Sequence, residues 1–317
     1  MSHPRHPYWR RVSRVVFVAF AGLVAWLLLR AARAIHWDDV RTALASLDAV
    51  TLATAAALVV LSYFVYGCYD LAARKYAHHT LSKVRTLLIA VASYAFSLNL
   101  GALVGAAGFR YRLYSRSGLG VGAISRVIVF SISTNWLGYV LLGGALFSLR
   151  CVPVPPGWEW GMDGLQWAGV AMLLLTLGYL VACHRLHGRM YHLRGHHFRF
   201  PELRLALVQL VLSCMHWSLM ARVIDVLLPP QVPYATVLGV LLLAGIASAM
   251  AHIPAGIGVL EAVFVAMLGH AVPPTQVIAA LLAYRALYYL GPLLVAIALY
   301  LGIEFRGRAA IAQRSPD

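Results

Sequence analysis

Apolar runs of similar length recur along the chain, separated by short polar stretches. Val15 to Leu29, Val50 to Tyr69, Val127 to Leu149, Leu165 to Cys183, Leu203 to Leu228 and Val277 to Leu301 each come near the roughly 20 residues that cross about 30 Å of hydrocarbon. Two further apolar regions are interrupted. Leu87 to Gly108 is broken at Asn99 and Gly101, and Thr236 to Leu268 is broken by His252-Ile-Pro-Ala-Gly-Ile-Gly258. Between the first two runs, His36 to Leu47 reads as an amphipathic stretch. The pattern predicts an all-α integral membrane protein with six uninterrupted spanning helices.

Lysine and arginine positions decide how the two broken regions lie, because loops on the cytoplasmic side carry an excess of positive charge. If both regions cross, the basic residues outside the membrane divide twelve against twelve. If each enters and leaves by the same face as a re-entrant hairpin, twenty fall inside and only Arg30, Arg33, Arg41 and Arg150 remain outside. The second arrangement also puts Asp38, Asp39, Asp48, Glu159, Asp163 and the Pro-rich turns at Pro153, Pro155, Pro156, Pro229, Pro230 and Pro233 on the outer side, with both termini cytoplasmic. Non-helical backbone at membrane depth is tolerated only beside protein or a water-filled cavity, so two hairpins imply an internal chamber. The order of elements then matches between residues 15–149 and 165–303 with opposite orientation. That is an inverted repeat, of the kind in which secondary transporters bind substrate where the breaks meet. Residues 1–14 form a basic cytoplasmic N-terminus, 15–303 a single transmembrane domain and 304–317 a cytoplasmic tail.

Composition narrows the function classes. With 61% hydrophobic and 12% charged residues, the chain has more apolar surface than a soluble core can use. The formal charge of +15 sits at the ends of apolar segments and not in a stripe with interleaved aromatics, which argues against nucleic acid as a partner. Cys68, Cys151, Cys183 and Cys214 are widely spaced with no CxxC pair, and read as packing residues. Arg30 and Arg33 interrupt any small-residue cleavage site after the first run, so that run reads as an uncleaved helix of a bacterial inner-membrane protein. His184, His187, His192, His196 and His197 cluster in one loop without a metal-ligand spacing, and read as a basic surface near anionic headgroups. No GxSxG, P-loop or pair of closely spaced carboxylates in a predicted cavity is found, and no cofactor or metal is implied.

The residues with most to say lie at the breaks. A helix starting after Gly101 or Gly258 would turn its first N–H groups toward the chamber and favour an anion such as phosphate. Gly101, Gly105 and Gly108 also suit a small-residue face that lets helices approach closely. Glu261 and Arg285 are ionisable groups deep in apolar sequence, a default mark of a functional interior. Two local uses stand beside that reading: Glu261 as a helix cap, and Arg285 as a partner for Glu261 or a backbone carbonyl. Arg222 and Asp225 read as an ion pair on one helical face. Asp70 lies close enough to the interface to snorkel.

Ser97-Leu-Asn-Leu-Gly-Ala-Leu-Val-Gly-Ala-Ala-Gly-Phe-Arg-Tyr-Arg-Leu-Tyr114 and Ile253-Pro-Ala-Gly-Ile-Gly-Val-Leu-Glu261 resemble the lysylphosphatidylglycerol synthase/flippase transmembrane family. That family includes the membrane half of the multiple peptide resistance factor and stand-alone YbhN-like proteins. The resemblance runs from about Val15 to Ile303, and departs at Gly101, where many relatives have proline. It implies binding and translocation of a phospholipid, aminoacylated phosphatidylglycerol among the candidates, without the aminoacyltransferase domain of the longer members. Asn99, Gly101, Gly105, Arg110, Arg112, Tyr114, Pro254, Gly256, Gly258, Glu261 and Arg285 are the expected lipid-binding residues, with Arg110 and Arg112 meeting headgroups at the cytoplasmic mouth. A lipid-modifying activity, a separately encoded partner enzyme and a homo-oligomer are the alternatives that remain open.

Overall fold

The computed structural model describes residues 22, 37–153, 161–187, 190–193, 196–251 and 256–300. The expected first span, both termini and Pro254 lie outside the described residues. The rest is helical apart from one short hairpin, β1 (Met190–Leu193) paired antiparallel with β2 (His196–Arg199), which occupies the histidine-rich loop.

Among the described residues six helices are long and apolar enough to cross a membrane: Ala49–Ala77, Val121–Ser148, Gly161–Leu186, Leu203–Leu227, Tyr234–Ala251 and Pro274–Tyr300. Five match uninterrupted runs of the sequence. The sixth, Tyr234–Ala251, is the first arm of the second broken region. At 18 residues and about 27 Å it is longer than a half-span. In chain order the elements are α1 (Trp37–Ala45), α2 (Ala49–Ala77), α3 (Lys83–Leu100), a π-helix π1 (Ala102–Phe109), α4 (Arg110–Arg116), α5 (Val121–Ser148), α6 (Gly161–Leu186), α7 (Leu203–Leu227), α8 (Tyr234–Ala251), α9 (Val259–Leu268) and α10 (Pro274–Tyr284). A second π-helix, π2 (Arg285–Leu290), follows α10 directly, and residues 291–300 continue as helix.

Caps fix where the long helices begin. Asp48 accepts hydrogen bonds from the amide and hydroxyl of Thr51 at the start of α2, which hold its carboxyl below the usual aspartate value. Outward-facing Val60, Phe64, Leu174, Leu175, Leu177 and Leu294 are exposed, the pattern of helices whose outer surface meets lipid instead of water.

Contacts between helix ends fix the directions of the elements. At one end of the bundle the Tyr76 hydroxyl donates to the Arg199 carbonyl, and the Arg126 guanidinium donates to the Ala77 carbonyl. The end of α2, the approach to α7 and the start of α5 therefore lie together. At the other end Thr51, Asp225, Tyr234 and Gln276 line one cavity, which gathers the starts of α2, α8 and α10 with the end of α7. It follows that α3 begins and α4 ends near the first end, while α8 and α10 begin at the second.

Each pair of helices turns on glycine. Gly101 has φ 84°, a region that residues with a Cβ rarely adopt, and ends α3. Beyond it the chain doubles back: a Cβ on Gly105 would stand 2.1 Å from the Ser97 Cα, and Phe96 stacks on Phe109 with ring centroids 3.8 Å apart. In the second pair Gly256 (φ 56°) and Gly258 (φ 83°) precede α9, and a Cβ on Gly256 would approach the Ser248 hydroxyl to 2.8 Å. A serine faces a glycine eight positions later in both pairs.

Candidate functional site

α2 carries Ser62, Tyr63, Tyr66, Tyr69 and Asp70 at spacings of three, four and seven, so helical geometry puts them on one face, and all five are buried. Tyr66 stacks on Tyr94 of α3 with centroids 3.7 Å apart, and Tyr63 lies 5.5 Å from Tyr288 of π2. His216 of α7 is buried between them. Its Nε2 lies 2.9 Å from the Tyr94 hydroxyl, and its Nδ1 lies 3.1 Å from the Ser62 hydroxyl and 3.2 Å from the Ser62 carbonyl oxygen. Ser62 and Tyr288 share a hydroxyl contact of 2.7 Å, and the Tyr63 hydroxyl donates to the Tyr288 carbonyl. Four elements are thus joined through a hydrogen-bonded aromatic core, and each tyrosine brings a large apolar ring with one polar end to satisfy.

One arginine closes each end of this core. Arg110 lies 5.5 Å above the Tyr66 ring, and Arg285 lies 5.5 Å above the Tyr289 ring. Arg110 is buried with Asp70: its Nε donates to Oδ2 and its Nη2 to Oδ1, both at 3.1 Å. Asp70 also accepts from the hydroxyls of Tyr114 (2.8 Å) and Ser131 (2.6 Å). A bidentate guanidinium and two hydroxyls satisfy both carboxylate oxygens, which is what a buried charge requires.

The expectation that Arg110 meets headgroups at the cytoplasmic mouth is corrected here, because neither side chain of the Arg110–Asp70 pair has any exposed surface. Tyr114 is buried as well and serves the same carboxylate. Asp70, read from sequence as an interfacial residue that snorkels, is instead the centre of the cluster. Arg112 is part-exposed and lies 5.7 Å over the Tyr300 ring, away from Arg110's site.

The second arginine has a different setting. Arg285 opens π2, where its Nε and Nη2 donate to the two carboxylate oxygens of Glu261, and Nη2 also donates to the Gly256 carbonyl at 2.9 Å. Glu261 in turn accepts from the Gly258 amide at 3.0 Å. Glu261 therefore caps α9 and pairs with Arg285 at once, and the helix start expected to receive an external anion already holds a carboxylate. The pair is not sealed: 11% of the Arg285 side chain and 19% of the Glu261 side chain are exposed.

Both turns reach π2. From the first, the Asn99 amide donates to the Tyr289 carbonyl at 3.2 Å and to the Ala95 carbonyl at 2.9 Å. From the second, Gly256 and Glu261 hold Arg285. A π-helix leaves carbonyls out of the regular ladder and often marks a functional site, and here Tyr288 and Tyr289 use theirs to receive Tyr63 and Asn99. The structure thus brings together Gly256, Glu261 and Arg285 and holds Asn99 against the same π-helix at Tyr289, while Arg110 and Tyr114 join Asp70 elsewhere.

A family model described as the lysylphosphatidylglycerol synthase TM region matches residues 14–296. The chain belongs to this family. Its relatives include the inner membrane protein YbhN of Escherichia coli, 42% identical over 304 residues that cover 96% of each chain. A second is the uncharacterized protein slr0712 of Synechocystis, 27% identical over 294 residues that cover 90% of each. The matched residues include both glycine turns and both arginine pairs. Like the six apolar helices, membership makes this a multi-pass membrane protein of the lysylphosphatidylglycerol synthase TM type.

Proposed function

We propose that this protein moves a phospholipid between the leaflets of a bacterial inner membrane, with the headgroup held at Glu261 and Arg285 where the tips of two re-entrant hairpins meet. The observation that carries the reading is the convergence of both turns on π2, around an ion pair that keeps exposed surface. The family and the relative named as an inner membrane protein support the class and the compartment. The start of α3 and end of α4 near one end of the bundle, and the starts of α8 and α10 near the other, support the re-entrant and inverted arrangement. The charge ledger supports cytoplasmic termini.

In this mechanism a lipid phosphate competes with Glu261 for the Arg285 guanidinium, which takes oxyanions in the same two-pronged geometry. Exchange of Glu261 for the phosphate on Arg285 takes the lipid up, and return of the Glu261 carboxylate to Arg285 lets it go. Gly256 and Gly258 supply backbone flexible enough for the tip to follow. Leaflet-resolved transport in proteoliposomes tests the assignment. Glu261→Gln and Arg285→Ala are expected to slow transport at least about tenfold in protein that still elutes as a folded species. Unchanged rates reject the site, and a covalently altered lipid in mass spectra would redirect the reading to an enzyme.

A further inference from the structure

A cavity of about 820 Å³ lies at the end of the bundle where α7 ends and α2, α8 and α10 begin. Its volume falls among sites that hold small ligands, about 300–1,000 Å³. Leu47 and Val232 give it apolar wall, Thr51 and Gln276 give it a hydroxyl and an amide, and α7 contributes Arg222 and Asp225. Those two charges are three residues apart on one helical face and pair with each other. They are unequally placed: 54% of the Arg222 side chain is exposed, against 13% for Asp225.

We infer that this cavity binds a zwitterionic phosphodiester, the phosphate on Arg222 and an ammonium group on Asp225. The pair satisfies itself when the cavity holds nothing. A ligand carrying only an anion would draw Arg222 away and leave Asp225, mostly buried, facing a second negative charge. An ammonium on the same ligand replaces what Asp225 loses, so the exchange conserves charge pairing on both sides. A ligand carrying only a cation would strand Arg222 in the same way, although Arg222 has water to turn to. The apolar walls suit the glycerol and methylene portions of such a headgroup. The inference rests on the lipid reading above only in that it names a headgroup class, and it concerns two charges of α7 that take no part in the Glu261–Arg285 pair.

The test is calorimetric titration of the purified full-length protein in detergent with three soluble probes: glycerophosphoethanolamine, glycerol 3-phosphate and ethanolamine. The zwitterion is expected to bind at least about tenfold more tightly than either half, and Arg222→Gln and Asp225→Asn are each expected to weaken it roughly tenfold. Glu261→Gln is expected to leave it unchanged. Repeating the titration in nanodiscs separates the two sources of this chemistry. Suppression by phosphatidylethanolamine relative to phosphatidylglycerol assigns the site to a lipid headgroup, and equal binding in both assigns it to a free phosphodiester; both uphold the site. Equal affinity for glycerol 3-phosphate and the zwitterion in the unmodified protein overturns the inference, whether or not the variants fold. Probe binding without transport rejects the flippase reading alone, and transport with no probe binding rejects this site alone.

Discussion

The first helix pair holds Arg110 against Asp70 with no surface exposed on either side chain, whereas the second holds Arg285 against Glu261 with both in reach of the outside. The pairs use the same chemistry, sit beside tyrosine rings at opposite ends of one aromatic core, and follow glycine turns of similar design. Their difference lies in who satisfies the charge. Asp70 is answered entirely by the protein, through a guanidinium and two hydroxyls. Glu261 is answered by Arg285 and by a backbone amide of its own turn, at the start of a helix only ten residues long. Two arginine–carboxylate pairs are thus sealed in one place and, in the proposed mechanism, exchangeable in the other.

Asp70→Asn is the strongest way to break this contrast. It strands Arg110 in the core, and removal of one member of a buried pair costs about 3–5 kcal/mol, so loss of folded protein is expected by size-exclusion chromatography and thermal unfolding. Replacing Asp70 and Arg110 together by apolar residues is expected to recover part of that loss. Gly105→Ala is next, because its Cβ would meet the Ser97 backbone, which has no room to yield; about 1–3 kcal/mol of destabilisation is expected. Gly256→Ala should cost less. It carries the strain of a positive φ, but the atom it approaches is the end of the Ser248 side chain.

Glu261→Gln sharpens the comparison from the other side. About 1–2 kcal/mol of stability is expected to go, because Arg285 keeps the Gly256 carbonyl and some exposed surface, while transport falls much further. A stability loss as large as that of Asp70→Asn would erase the distinction between the pairs. The smallest effect belongs to Asp48→Ala, which removes the α2 cap and is expected to lower the unfolding temperature slightly. Because the folded Asp48 carboxyl titrates below its usual value, the advantage of the unmodified protein is complete above the ordinary aspartate value. It fades as pH falls through the lowered one, a trend that unfolding curves across acidic pH would read.

The spans were legible in the sequence because hydrocarbon thickness demands a set length of apolar residues, and five of the expected runs appear as helices. The glycine turns were legible too, since breaks in apolar segments have few other causes. Glu261 and Arg285 stood out as ionisable groups far from any interface, and both local uses weighed for them, cap and partner, occur together. Asp70 was misplaced because sequence position gives depth but not company: its partners lie 40, 44 and 61 residues away. His216 is hidden from the sequence for the same reason, its partners Ser62 and Tyr94 lying 154 and 122 residues away. A signal for both was present in the run Ser62, Tyr63, Tyr66, Tyr69 and Asp70, a polar stripe along one face of an otherwise apolar helix. The length of α8 was missed because a break at Gly256 and Gly258 says where a helix stops and nothing about how far it has already travelled.

Residue-by-residue labelling in intact membranes addresses the arrangement of the hairpins directly. In a background without Cys68, Cys151, Cys183 and Cys214, single cysteines at His79 and Ser117 flank α3, π1 and α4, and a cysteine restored at position 151 marks the far end of α5. Re-entrance requires that an impermeant maleimide reach positions 79 and 117 only from the cytoplasmic side and position 151 only from the opposite side. Labelling of 79 and 117 from opposite sides would mean that the first helix pair crosses the membrane, which contradicts the re-entrant arrangement.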